Sequence, residues 1–273
     1  EALRVLSPNT PESWTYGALK SAILGTGTGL LRAGLNPGDR VLMRIGNTVE
    51  FPIAYLACIA VGLIPVPTSS QLTEAEVTRM VEPLEPAAIL RDPEVSTASG
   101  FDRKTLTTHD LLSFHSYPPA DFNMGDPNRP AYIIYTSGTS GIPRAVVHAH
   151  RAIWARQMMF DGWYDLHEDD RLLHAGAFNW TFTLGTGLMD PWTKGATALI
   201  PAPGTATDAL PDLLRDNHAT LFAAAPGVYR KILATTENPA LPDLRHGLCA
   251  GEKLSEPLRT QWTAATGTTP TEA

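Results

Sequence analysis

Tyr135-Thr136-Ser137-Gly138-Thr139-Ser140-Gly141-Ile142-Pro143-Arg144 is the stretch on which the reading of this chain turns. Four hydroxyl side chains and two glycines fall within residues 136–141, directly after the apolar run 132–135, which reads as a strand, and a fixed cation follows at Arg144. Glycine lets backbone N–H groups approach an anion closely, and hydroxyls add further donors for phosphate oxygens. The pattern is that of a polyphosphate cradle. It is not a Walker loop, which needs four residues between its glycines and then Lys-Ser/Thr, because only Thr139 and Ser140 separate Gly138 from Gly141. An ordinary Ser/Thr/Gly turn is the competing reading, and the density of hydroxyls closing on Pro143-Arg144 favours phosphate.

Working outward, residues 145–147 read as the strand that leaves the loop and 151–162 as a helix. Upstream, 15–32 has a helical pattern stopped by Gly34 and Asn36-Pro37-Gly38-Asp39. Residues 41–45 read as a strand, 50–62 as a buried helix, 64–67 as a brief extended segment and 87–90 as another strand. Thr73 before Glu74 and Glu76 is an N-cap arrangement that starts a helix running to about residue 81. Downstream, 172–173, 196–200 and 220–223 are strand candidates, separated by helical segments around 184–192 and 208–217. Residues 248–254 read as a strand entering a polar turn. Strand, helix, strand in this rhythm predicts an α/β fold of layered, mainly parallel sheets flanked by helices. The stretch 92–130, rich in Pro, Ser, Thr and Asp, is the expected break between two packed subdomains.

With 273 residues, the chain is long enough to bury a large core without disulfides or a structural metal. Its net charge of −7 and low share of charged residues, 18%, argue against a nucleic-acid partner, whose binding rests on a Lys/Arg field. Cys58 and Cys249 stand in separate apolar stretches and suggest an intracellular, reducing setting. The unbroken apolar run 53–64 is 12 residues, too short to span a bilayer. No secretory leader is visible at Glu1.

Other candidates are weighed against plainer readings. Gly25-Thr26-Gly27-Thr28-Gly29 superficially looks like a dinucleotide fingerprint, but only residues 30–33 separate it from the Gly34 break, too few for a crossover helix. A closely packed helix weakened by its glycines is the better reading. His148 and His150 alternate and would share one face of a strand, without acidic or Cys partners for a metal. No Gly-x-Ser-x-Gly elbow marks a serine hydrolase. Phe178-Asn179-Trp180-Thr181-Phe182 packs three large rings into five residues, followed by Leu184-Gly185-Thr186-Gly187. Core packing is the default for such rings, and one wall of an apolar acid pocket is the functional alternative.

With these residues in hand, the chain resembles the adenylate-forming superfamily, which includes acyl- and aryl-CoA synthetases, and within it the benzoate-CoA ligase-like branch. Thr136-Ser137-Gly138-Thr139-Ser140-Gly141-Ile142-Pro143-Arg144 is similar to its phosphate-loop signature, with Arg144 where Lys is usual. Trp14-Thr15-Tyr16-Gly17-Ala18-Leu19, Gly34-Leu35-Asn36-Pro37-Gly38-Asp39-Arg40-Val41 and Gly62-Leu63-Ile64-Pro65-Val66-Pro67 look like three earlier landmarks. The aromatic cluster and Ala250-Gly251-Glu252 complete the order. The resemblance implies that a carboxylic acid is activated with Mg-ATP to an acyl-adenylate, which coenzyme A then converts to a thioester. It implies that Thr136, Ser137, Gly138, Thr139, Ser140, Gly141 and Arg144 hold phosphates, with Thr136 also a candidate Mg2+ ligand. Gly251 and Glu252 would pass near the adenine, and Phe178, Trp180, Thr181 and Phe182 would face the acid. Phe178-Asn179 lacks the Asp by which amino-acid-activating members pair a substrate ammonium, so an aryl or cyclic acid is expected, with a medium-chain fatty acid as the competitor. The family's Mg-binding Glu motif and C-terminal Lys have no counterpart within the 273 residues, so the chain is expected to be a partial N-terminal domain, inactive alone. A non-catalytic nucleotide- or acyl-binding module is the reading from a different class.

Overall fold

The computed structural model describes residues 1–6, 12–136, 143–236 and 239–272. In chain order the elements are β1 (Leu3–Leu6), β2 (Glu12–Trp14), α1 (Tyr16–Arg32), β3 (Arg40–Arg44), α2 (Glu50–Ala60), β4 (Ile64–Pro67), α3 (Glu74–Leu84), β5 (Ala88–Arg91), β6 (Lys104–Thr107), α4 (Thr108–Phe114), β7 (Pro130–Thr136) and β8 (Arg144–Ala149). They continue with α5 (His150–Ala155), β9 (Arg171–His174), α6 (Thr181–Leu184), α7 (Asp190–Lys194), β10 (Thr197–Pro201), α8 (Leu210–Asp216), β11 (Leu221–Ala224), α9 (Pro226–Thr235), β12 (His246–Cys249), α10 (Glu256–Thr266) and β13 (Pro270–Glu272). The chain forms two compact units, Gly17–Trp154 and Glu1–Tyr16 with Ala155–Ala273. Residues 92–130 lie wholly within the first of these, where β6 pairs in parallel with β5.

In the unit Gly17–Trp154, a four-stranded parallel sheet runs β4-β3-β5-β6, and β7 and β8 form an antiparallel pair. Helix α2 is apolar on nearly every side and is buried, as an all-round hydrophobic helix must be. Thr73 and Glu76 close a reciprocal capping box on α3, and Thr107 and Asp110 do the same on α4. The glycines of α1 are packing sites. A Cβ on Gly25 would meet the carbonyl oxygens of Phe114 and His115 at 2.7 Å, and one on Gly27 would meet Val61 Cγ1 at 2.7 Å. Arg44, wholly buried at the end of β3, donates to the carbonyls of Ser96 (2.6 Å), Ser69 (2.7 Å) and Leu72 (2.8 Å), and so ties the loops at that end of the sheet.

In the other unit a seven-stranded sheet has the order β13-β12-β11-β9-β10-β1-β2, parallel except for the β1–β2 pair. Leu173, Phe222, Tyr229, Trp262 and their neighbours form one core, and Phe160, Tyr164, Leu172, Phe182 and Leu248 form another. Asp170, just before β9, anchors the amino ends of the strands. It accepts from Arg245, from Thr220 Oγ1 (2.6 Å) and from the His167 amide (2.7 Å).

The expected helix over 151–162 is shorter. Helix α5 ends at Ala155 and a 3-10 turn, Arg156–Met159, follows, which carries Arg156 towards Asp190. His148 and His150 do not share a strand face either: β8 ends at Ala149 and His150 opens α5. His148 stacks on Tyr132 with ring centroids 4.7 Å apart, so its environment is structural. Among the described residues no group of three His, Cys, Asp or Glu could hold a metal, and no helix is long and apolar enough to cross a membrane. Both cysteines are buried and free.

Candidate functional site

The strand order in the unit that holds β9 to β13 sets the place of the site. From β9 the chain crosses one way to β10, and β11, β12 and β13 then add on the other side. In parallel sheets this reversal opens a crevice at the carboxyl ends of the strands on either side of it, here β9 and β11. The segment after β9 is Ala175-Gly176-Ala177-Phe178-Asn179-Trp180, leading into α6. The segment after β11 opens α9 at Pro226, whose first turn stands at that end. Beyond β12 stand Ala250, Gly251 and Glu252.

These three segments meet. A Cβ on Gly251 would stand 2.7 Å from Trp180 Cζ2, so the indole lies directly on the glycine backbone, whose φ of +97° also requires glycine. A Cβ on Gly227 would come 3.8 Å from Glu252 Oε1, which places that carboxylate beside the first turn of α9, where the helix dipole favours negative charge. The rings of Trp180 and Phe182 meet edge to face at 5.2 Å, and Trp163 extends the wall at 6.2 Å from Phe182. Phe178 is buried, and Thr181 is half-buried at the start of α6. Thus Trp180, Phe182, Gly251 and Glu252 belong to one local assembly.

Sequence reasoning missed two parts of it. The first lies behind the wall, where the helical run after Trp180 widens into a π-helical turn, Gly185–Met189, a form that recurs at functional sites. Asp190 follows it, almost wholly buried, and receives Arg156 through both guanidinium and carboxylate forks, with Nε to Oδ1 at 2.6 Å, and the Tyr164 hydroxyl as well. Burial raises the Asp190 pKa, while the bonds from Arg156 and Tyr164 act in the opposite direction. A Cβ on Gly185 would sit 2.3 Å from Arg156 Cζ, so the guanidinium rests on that glycine. The Gly185-x-Gly187 spacing was the visible signal. The second part is His174, the last residue of β9, with its ring 4.5 Å from that of Phe182. His174 and Thr183 are buried, and His174 Nε2 and Thr183 Oγ1 lack hydrogen-bond partners among the described residues. Each such atom costs about 1–3 kcal/mol if it stays unpaired.

The phosphate-loop candidate lies in the other compact unit. Thr136 ends β7 and Arg144 begins β8, paired across the hairpin and both exposed. They flank the loop from its two strands. Ser137, Gly138, Thr139, Ser140 and Gly141 lie outside the described residues.

Two α/β units, one with a ring-lined crevice at its strand reversal, and a hydroxyl-rich stretch between two paired strands are the features on which the chain is compared with known proteins. The chain belongs to the AMP-binding enzyme family, whose model matches residues 2–272. It is similar to the 3-hydroxybenzoate–CoA ligase of Aromatoleum sp. (strain CIB), 27% identical over 93% of this chain and 52% of that protein. The benzoate–CoA ligase of Thauera aromatica is likewise 27% identical, over 93% of this chain and 52% of its own length. Among solved structures, a benzoate CoA ligase from Burkholderia xenovorans LB400 superposes with a TM-score of 0.88 at 23% identity, over 99% of this chain and 56% of that one. The chain spans about half the length of the curated relatives it matches.

Proposed function

We propose that this chain is the acid- and nucleotide-binding part of an aryl-CoA synthetase, which joins an aryl carboxylic acid to coenzyme A at the expense of ATP. The observation that carries the reading is the ring wall of Trp180 and Phe182, seated against Gly251 at the strand reversal, in a chain of the AMP-binding family whose similar proteins include benzoate and hydroxybenzoate ligases. In the first step a carboxylate oxygen attacks the α-phosphorus of ATP and pyrophosphate leaves. In the second the sulfur of coenzyme A attacks the acyl carbon and AMP leaves with the former carboxylate oxygen.

The protein's task in the first step is positioning and charge stabilisation. Residues 136–141 donate hydroxyls and amides to the phosphates, and Arg144 adds a permanent charge whose fork matches phosphate bidentately where Lys would act as a point charge. Mg2+ arrives with the nucleotide, and the exposed Thr136 hydroxyl is an oxygen donor of the hard kind it accepts. Gly251 and Glu252 border the adenine. Trp180, Thr181 and Phe182 face the acid while Phe178 backs the wall. The buried, free state of both cysteines supports a cytoplasmic setting.

The test is pyrophosphate release by the protein at the length of its relatives, with Mg-ATP and a panel of benzoates, medium-chain fatty acids and amino acids. Benzoates are expected to lead, and preference for an amino acid or a fatty acid refutes the aryl reading. Arg144→Ala should raise the KM for ATP far more than that for the acid. An unchanged KM and rate for ATP removes Arg144 from the phosphate site.

A further inference from the structure

Two glycines on separate segments are committed to seating His174 and its neighbour. A Cβ on Gly187 would stand 2.8 Å from His174 Cβ, and one on Gly176 would stand 3.0 Å from His174 Cε1 and 2.2 Å from Thr183 Oγ1. Any side chain at these positions would push His174 and Thr183 out of place. His174 Nδ1 accepts from the Gly176 amide at 3.0 Å, which puts the ring proton on Nε2. Nε2–H is therefore a donor, and Thr183 Oγ1 can both accept and donate. Folded proteins rarely leave such atoms unpaired, and two around one glycine call for an explanation. Burial depresses the His174 pKa to about 3, so the ring is a neutral donor at any physiological pH. The rings of Phe182 and Trp180 stand 4.5 and 6.3 Å from the imidazole, which puts the pair at the base of the aromatic wall.

We propose that His174 Nε2–H and Thr183 Oγ1 form a specificity pair that receives a hydroxyl on the ring of the acid, so that the substrate is a hydroxyl-bearing aryl acid. This rests on the aryl-acid reading above and narrows it. Both atoms are closed to solvent, so the acid must part the ring wall to reach them; a phenolic hydroxyl then satisfies both, its oxygen accepting from Nε2–H and its hydrogen going to Thr183 Oγ1. An unsubstituted ring leaves both unpaired, and a site built to bond a hydroxyl discriminates strongly against the analogue that lacks it. Selection thus comes from hydrogen bonding at the far end of the acid, away from the reacting carboxylate.

The test uses the protein at the length of its relatives and acyl-sulfamoyl adenosines as stable mimics of the adenylate, carrying benzoyl or 2-, 3- or 4-hydroxybenzoyl groups. Affinities are read by calorimetry for the wild type, His174→Phe and the near-isosteric Thr183→Val, with thermal melts to establish that each variant is folded. One hydroxybenzoyl isomer should bind about tenfold tighter than benzoyl, the size of a neutral hydrogen bond or two, and each folded variant should bring that ratio towards one. If His174→Phe does not fold, Thr183→Val and the wild-type ranking decide. Equal binding of all four mimics, or a preference that survives the folded variants, overturns the specificity pair and leaves the aryl reading standing. If no mimic binds the wild type, the aryl reading itself fails and this inference falls with it.

Discussion

Replacing Gly251 by alanine separates two costs that the structure places on one residue. Its φ of +97° strains an L-residue by about 1–3 kcal/mol, and the new methyl would come 2.7 Å from Trp180 Cζ2 and 2.9 Å from Cη2. Gly267, at the end of α10, has φ +75° and nothing within 4 Å of the corresponding position, so it carries the backbone cost alone. Gly267→Ala is expected to lose about 1 kcal/mol. Gly251→Ala adds displacement of the indole, about 1–3 kcal/mol of overpacking, for a total of about 3 kcal/mol. At roughly 2–4 °C for each kcal/mol in a chain of this size, the melting temperature should fall by about 9 °C in the first variant and about 3 °C in the second. Trp180→Phe in the Gly251→Ala background removes the ring atoms that collide and should restore part of the difference. Circular dichroism melts measure both, and adenylate-mimic affinity should drop only in Gly251→Ala. Equal destabilisation by the two glycine variants, or no recovery with Trp180→Phe, refutes the assigned contact.

His174 should also mark the acid limb of stability: folded, it takes up a proton only near pH 3, whereas unfolded it does so below about 6.5. Its stabilising contribution is therefore complete above pH 6.5 and drains away as pH falls towards 3, by up to about 1.4 kcal/mol per pH unit. His174→Phe should flatten the urea midpoint between pH 4 and 6.5, and an unchanged slope contradicts the assignment. Asp170→Ala takes the acceptor from the Thr220 hydroxyl and the His167 amide, while Arg245 keeps Asp165, and should cost about 1–3 kcal/mol in urea unfolding, with mimic affinity within about twofold because Asp170 stands at the amino ends of the strands. A large loss of affinity in a folded variant would contradict that placement. Gly25→Ala would normally favour a helix by about 1 kcal/mol, but its methyl meets two backbone carbonyls at 2.7 Å, so overpacking of about 1–3 kcal/mol wins. A rise in melting temperature would show that α1 is not packed this closely.

Much of the architecture was legible along the chain because it rests on local rules. Thr73 and Glu76 read as a helix start because a capping box is a contact between near neighbours, and it formed. Residues 50–62 read as a buried helix, and α2, Glu50–Ala60, is one. The Gly25-x-Gly27-x-Gly29 repeat was taken correctly as helix packing, although only the fold shows that Gly25 and Gly29 face the end of α4 while Gly27 faces Val61 after α2. The strand β6 and helix α4 were passed over in a segment read only as a break between subdomains, because four residues of weak periodicity become a strand only when β5 offers its edge. The helix expected to 162 stopped short at Ala155, where the chain turns and Arg156 reaches Asp190, a partner 34 residues away.

The sequence by itself supplied the candidate groups: the hydroxyl- and glycine-rich stretch with Arg144, the ring cluster, Gly251-Glu252 and the alternation that makes the sheets parallel. These are properties of composition and short spacing, which the chain carries whether folded or not. Only the tertiary structure decided which of these groups share a space. The reversal of strand order between β9 and β11 brings Trp180 onto Gly251, sets Asp190 between Arg156 and Tyr164, and buries His174 and Thr183 around Gly176 with polar atoms unpaired. Burial and pairing are relations between residues far apart in sequence, and they exist only once strand order and packing place the partners within reach.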